Sequence, residues 1–338
     1  MKTIFKSIVI GIVVGCLIVP IELSAKNEKL AQAGFEFLSV VSDARAAAMA
    51  NAMTSLQIGS SALFFNPAGM ANIEHLIDIT ASNNQWIADI QHNTFSLAFS
   101  PTHGRYGVLG LSYQNVNYGD FYGTRVNMRI DAGYDDTGIF QLSSHALGLG
   151  YAKRLTEWFS VGGQIRLVKQ DLGKSVIPKI STIPDTTEFV AENTLTPFAF
   201  DFGTQFKTGF KSLIFGMSIR NFSADIKYVE EPFQLPLVFN LGISMDLFDL
   251  ISQGDRNQSL YMCIDASHYR SRAEQVKIGL DWQLLKMLSL RCGYISNEDE
   301  SGLTFGIGVT KFGFTFDYAY TPYGVFNQVQ RLTVRMSF

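Results

Sequence analysis

The chain has 338 residues, 47% of them hydrophobic and only 17% charged, with 29 glycines, 27 phenylalanines and a formal net charge of −3. An aromatic-rich, charge-poor composition excludes a disordered chain, while 3 cysteines and 9 prolines exclude a disulfide scaffold and a collagen-like fold. No long basic run is present, so nothing points to a nucleic-acid partner.

The first element in chain order is a sorting segment. Lys2 and Lys6 precede an apolar stretch over 8–21, and Leu23-Ser24-Ala25 places a small residue before a cut. This pattern predicts a secretory signal peptide over residues 1–25. The apolar stretch is shorter than the roughly 20 residues a spanning helix needs. Val13-Val14-Gly15-Cys16 has the look of a lipidation site, but the apolar run continues past it to Ile21, where a lipoprotein linker would turn polar. Residues 26–76 do not alternate. Residues 44–53 have helical composition, and Asn66-Pro67-Ala68-Gly69 reads as a turn. Pro67 forces Asn66 into extended geometry, and Gly69 allows a reversal.

From residue 77 onward the dominant signal has period two, which sends successive side chains to opposite faces of a strand. Strands are expected at 77–87, 91–100, 106–117, 141–154, 158–171, 195–206, 212–223, 235–248, 257–268, 274–285, 288–296, 301–310, 312–322 and 328–338. In 303–310, for example, Leu303, Phe305, Ile307 and Val309 oppose Thr304, Gly306, Gly308 and Thr310. One face is large and apolar, and the other is small or polar. A soluble sandwich would carry Lys and Glu on its solvent face. A lipid-facing apolar belt around a crowded polar lumen fits better. The expected fold is therefore all-β, a transmembrane antiparallel barrel of about 14 strands over 77–338, with residues 26–76 as a helical plug or hatch. The longest connections, 118–140, 172–194 and 224–234, all fall on one end, taken as the outer one, which places both termini at the inner end. The last strand ends on Phe338, an expected assembly signal for outer-membrane insertion.

Nine charged residues fall on the small face: Arg166, Asp201, Arg220, Asp246, Asp265, Lys277, Asp281, Arg291 and Asp317. They are expected in the lumen as a structural salt-bridge lattice, because a charge facing lipid at mid-depth costs roughly 2–4 kcal/mol. Cys263 faces inward and Cys292 outward, so no disulfide is expected. Catalysis has little support: there is no Gly-x-Ser-x-Gly, no phosphate-cradling loop and no His or Cys pair at metal spacing. The histidines are scattered, and acids such as Asp135, Asp136, Glu298, Asp299 and Glu300 read as solvated loop charge. No cofactor is expected.

Gly34-Phe35-Glu36-Phe37-Leu38, Asp43-Ala44-Arg45-Ala46-Ala47-Ala48-Met49 and Asn66-Pro67-Ala68-Gly69-Met70 together resemble the N-terminal hallmark of the PorV/PorQ family. Downstream, Phe198-Ala199-Phe200-Asp201-Phe202-Gly203, Leu235-Pro236-Leu237 and Asp317-Tyr318-Ala319-Tyr320-Thr321-Pro322-Tyr323-Gly324 look like segments of the same family. It is related to the FadL-type outer-membrane barrels, which share the Asn-Pro-Ala element in their hatch. The sequence departs from the family pattern at Ala50-Asn51-Ala52 and Val329-Gln330-Arg331. The resemblance implies a non-enzymatic outer-membrane protein, in contact with outer-membrane lipid, that assists type IX secretion or surface attachment of cargo through secretion-machinery subunits and secreted proteins. The alternative it implies is a FadL-like channel for hydrophobic solutes, for which the distinguishing feature would be an apolar pocket along the lumen. The inward faces read as mostly polar.

Overall fold

The computed structural model describes residues 33–127, 130–178, 188–228, 231–251, 257–298, 302–324 and 328–338. The expected signal peptide, Cys16, Asp299 and Glu300 lie outside the described residues. Fourteen antiparallel strands close into one barrel. They are β1 (Ile77–Gln85), β2 (Gln91–Phe99), β3 (Val108–Val126), β4 (Tyr134–Arg154) and β5 (Phe159–Pro178). β6 comes in two segments, Glu188–Leu195 and Phe198–Lys207, both paired to β5. There follow β7 (Ile214–Phe222), β8 (Val238–Asp246), β9 (Gln258–Tyr269) and β10 (Gln275–Leu284). β11 (Leu288–Ile295), β12 (Leu303–Lys311), β13 (Phe314–Thr321) and β14 (Val329–Ser337) complete the ring. Closure is between β14 and β1, in register from Asp78↔Ser337 to Gln85↔Gln330. Phe338 and Ile77 exchange backbone hydrogen bonds of 2.9 and 3.2 Å, so no edge is left unpaired there.

The alternation sorts side chains as the pleat requires. Leu149, Phe202, Phe215, Ile307, Phe316 and Leu332 stand exposed on the outside, while their sequence neighbours Asp201, Asp317 and Thr333 are buried within. Strands of 8 to 10 residues dominate the far half of the ring, the length that crosses a bilayer when tilted.

The structure corrects one expectation and extends another. The connections 118–140 and 172–194 are largely strand, because β3 and β4 pair out to Val126↔Tyr134 and β5 pairs with 188–195. These extensions expose both faces, so the period-two signal that marks a half-buried strand fades there. The second concerns the path of the N-terminal segment. Its first described residue, Ala33, bridges to Gln234, and Gly34 N donates to Gln234 O at 3.1 Å. Gln234 lies in the β7–β8 connection, so the described chain starts at the end with the long loops, while the N-terminus itself lies outside the described residues.

From there the segment descends through the lumen. A short turn at Glu36–Ser39 leads to helix α1 (Ala44–Ala48), which packs on β11 to β14. Asp43 caps α1 by accepting from Ala46 N at 2.8 Å, and positive φ at Ala50 and Asn51 ends it. The turn Gly59–Phe64 packs on β1 to β3, and Pro67–Met70 packs on β4 to β6. The apolar core is therefore inside the barrel. Met49, Met53, Leu63 and Met70 are fully buried, in one cluster with Leu56 and Phe65.

Candidate functional site

The lumen is built by matching small wall residues to the inner segment. Asn66 Oδ1 accepts from Ala68 N, capping the Pro67–Met70 turn, while its Nδ2 donates to Thr54 O (2.7 Å) and Thr204 O (3.0 Å). Pro67, Ala68 and Gly69 are all buried. They lie against Gly162 and Gly203, which pair across β5 and β6. A Cβ on Gly162 would sit 2.5 Å from Ala68 N, and one on Gly203 would collide with Asn66 Oδ1. The wall is glycine here because backbone meets backbone.

All nine charged residues of the small face point inward, but they do not form one lattice. Arg166 and Asp201 pair bidentately on β5 and β6, with Nε–Oδ2 at 2.8 Å and Nη2–Oδ1 at 2.9 Å. Arg291 bridges Asp281 (3.2 Å) and Asp317 (2.5 Å), and Asp281 also holds Arg45 of α1 at 3.0 Å. The others make no close ion pair among the described residues. Asp265 accepts from Thr54 N (3.0 Å) and Thr54 Oγ1 (2.6 Å), tying the inner segment to β9. Asp246 caps the turn after β8 by accepting from Phe248 N at 3.0 Å. Lys277 Nζ donates to the Tyr269 hydroxyl at 2.6 Å, and Arg220 lies over the Phe65 ring, 5.9 Å from its centroid. Sequence reasoning missed the pair Arg335–Asp78 (2.7 Å), whose carboxylate also accepts from Ser60 N at 2.7 Å. Alternation with Ile77 and Ile79 on one strand, and with Val334 and Met336 on the other, was the signal for both. Cys263 and Cys292 are free thiols.

The outer half of the lumen differs from the rest. Phe35, Phe37 and Leu38 meet Val116, Ala146, Val168, Ala199 and Leu235 in a second buried apolar cluster. Phe233 stacks between Phe35 (6.3 Å) and Tyr228 (5.5 Å). Burial pushes the Tyr228 phenol up to about 12, which keeps it neutral. Beside this cluster lies a cavity of about 130 Å³ shared by the inner segment and the wall. Leu38 belongs to both, and Trp86, Phe65, Tyr269 and Tyr323 bring rings to the cavity lining. Because Ala146, Val168 and Ala199 stand next to the larger apolar Leu147, Leu167 and Phe198, sequence alone made this lumen look more polar than it is.

A closed fourteen-strand barrel with its lumen occupied by an N-terminal segment defines the FadL-like class of transmembrane barrel. No protein-family model matches the sequence, and no curated protein does. Among solved structures the chain is similar to the Ralstonia pickettii toluene transporter TbuX at 13% identity and TM-score 0.57, covering 87% of this chain and 98% of that one. It is also similar to the CymD monoaromatic hydrocarbon channel at 12% identity and TM-score 0.55, covering 88% and 97%. A Pseudomonas aeruginosa FadL homologue matches at 13% identity and TM-score 0.53, covering 88% and 98%.

Proposed function

We propose that this chain is a non-enzymatic outer-membrane channel for small hydrophobic solutes, with residues 26–76 as the hatch and 77–338 as the conducting barrel. The observation that carries this reading is the buried apolar cluster around Phe35 and Leu38 at the outer mouth, opening onto a ring-lined cavity in an otherwise polar lumen. Apolar surface placed where a solute would arrive stabilises bound hydrocarbon by roughly 25 cal/mol per Å² covered. The neighbours TbuX and CymD, named as a toluene transporter and a monoaromatic hydrocarbon channel, support the solute class. Cells whose saccharide-covered outer leaflet slows hydrophobic solutes provide the test. Labelled toluene should enter faster when they express the full chain. Uptake no faster than with an empty vector would reject the reading.

A second reading, the type IX secretion role implied by the PorV/PorQ resemblance, is favoured by one feature. The β3–β4 hairpin carries exposed rings beyond the belt, with Phe121 stacked on Phe140 at 5.6 Å and Tyr122 and Ile139 bare. Such a patch suits a secretion-machinery subunit or cargo protein. Replacing Phe121, Tyr122 and Phe140 with Ser would abolish surface attachment of cargo under this reading and leave solute uptake unchanged.

A further inference from the structure

The outer cavity holds more positive charge than its own carboxylates satisfy. Two of the four cations that line it are placed by acids: Lys277 stands opposite Asp265 in the β9–β10 register, and Arg272 reaches Glu36 at 3.1 Å. Arg220 and Arg331 remain. The carboxylate acting on Arg220 is Asp201, already held by Arg166, and among the described residues Arg220 Nε has no hydrogen-bond partner. Arg331 is buried and spends its donors on neutral oxygens, Val41 O and Thr321 Oγ1, both at 2.9 Å. The cavity's remaining acid, Glu298, accepts from Gln275 Nε2 at 2.8 Å and lies 3.5 Å from the Tyr323 hydroxyl. A buried guanidinium without a counter-charge is costly, and the cost is recovered when a ligand supplies one.

The same groups define the rest of the ligand. Both arginines lie over rings, Arg331 at 5.5 Å from the Trp86 centroid and Arg220 at 5.9 Å from that of Phe65. Trp86 meets Tyr323 edge-on at 5.1 Å. Burial, reinforced by Glu298, pushes the Tyr323 phenol up to about 12, so it stays a neutral donor. A cavity of about 130 Å³ compares with the roughly 150 Å³ apolar cavity known to take up benzene. It suits one ring and is too small for a long alkyl chain. A guanidinium fork matches a carboxylate bidentately.

We propose that this cavity is a binding site for a small aromatic monocarboxylate of the benzoate class, with Arg220 and Arg331 as its charge-recognising residues. The proposal rests on the channel reading for the route by which solute reaches the cavity. The full-length protein, purified in detergent micelles, is titrated calorimetrically with benzoate and with benzyl alcohol, its neutral counterpart. Benzoate should bind about ten-fold more tightly or better. Arg331→Gln and Arg220→Gln should each erase that preference while leaving benzyl alcohol binding in place. Arg331→Lys, which keeps the charge without the fork, should retain part of it. Heat-modifiable gel migration identifies variants that are still folded. Equal affinity for the two ligands, no benzoate binding at all, or an unchanged preference in folded Arg331→Gln and Arg220→Gln would each overturn the proposal. Toluene uptake by expressing cells separates the two readings. Uptake without benzoate preference defeats this site alone, and benzoate preference without uptake defeats the channel.

Discussion

Gly162 and Asp265 show how single residues hold the inner segment in place. Gly162 leaves room for the Pro67-Ala68 backbone, and a valine there would push its Cβ to 2.5 Å from Ala68 N, an approach that only a backbone shift relieves. Gly162→Val should therefore loosen the hatch and raise single-channel conductance in planar bilayers. Conductance equal to that of the original protein, with the barrel intact, would show that the segment tolerates displacement without opening. Asp265 works through polar contacts. It accepts two hydrogen bonds from Thr54, and removing the carboxylate strands a buried N–H and a hydroxyl. Asp265→Ala should destabilise the folded barrel by about 1–3 kcal/mol. The check is the temperature at which heat-modifiable migration is lost, which should fall. An unchanged temperature would mean that water replaces the acid.

At the scale of elements, what was legible in the sequence follows from which surfaces are half-buried. β10, β12 and β13 were readable from alternation alone because lipid on one side and the polar lumen on the other impose opposite chemistry. The outer parts of β3 and β4 were not, since water bathes both of their faces and side-chain choice is unconstrained. Pro197 breaks β6 into two segments where it cannot donate to the ladder. The inward charges were legible as a set, yet their division into separate clusters depends on Arg45 and Thr54 of the inner segment, whose partners lie more than two hundred residues away in sequence. Arg220 was legible as an inward charge, but only barrel closure brings it into one cavity with Arg331. Two element-level outcomes are expected. Deleting 34–70 should leave a folded barrel of higher conductance, and unchanged conductance would argue against a hatch. Removing 332–338 should abolish membrane insertion, because β14 supplies the partner of β1 and an open edge in hydrocarbon leaves backbone groups unpaired. A truncated chain that still shows heat-modifiable migration in the outer-membrane fraction would contradict this.

For the whole molecule, orientation and route are linked. The long β3–β4 and β5–β6 hairpins and the start of the inner segment share one end of the barrel, and the short turn at Leu285-Lys286 marks the other. A peptide tag after Ala132 should be labelled on intact cells, and one after Lys286 should be labelled only after permeabilisation. The reverse result would invert the barrel and place the apolar cluster at the inner mouth. On the proposed route, apolar solutes pass through the lumen by way of the Phe35 cluster. The most direct test of that route is labelled toluene uptake by cells expressing the full chain beside cells expressing Phe35→Asp, with both proteins verified as folded in the outer membrane. A charge placed among Leu38, Val168 and Leu235 should reduce uptake to the empty-vector rate. Uptake by the folded variant equal to that of the original chain would contradict the route and, with it, the function proposed for this barrel.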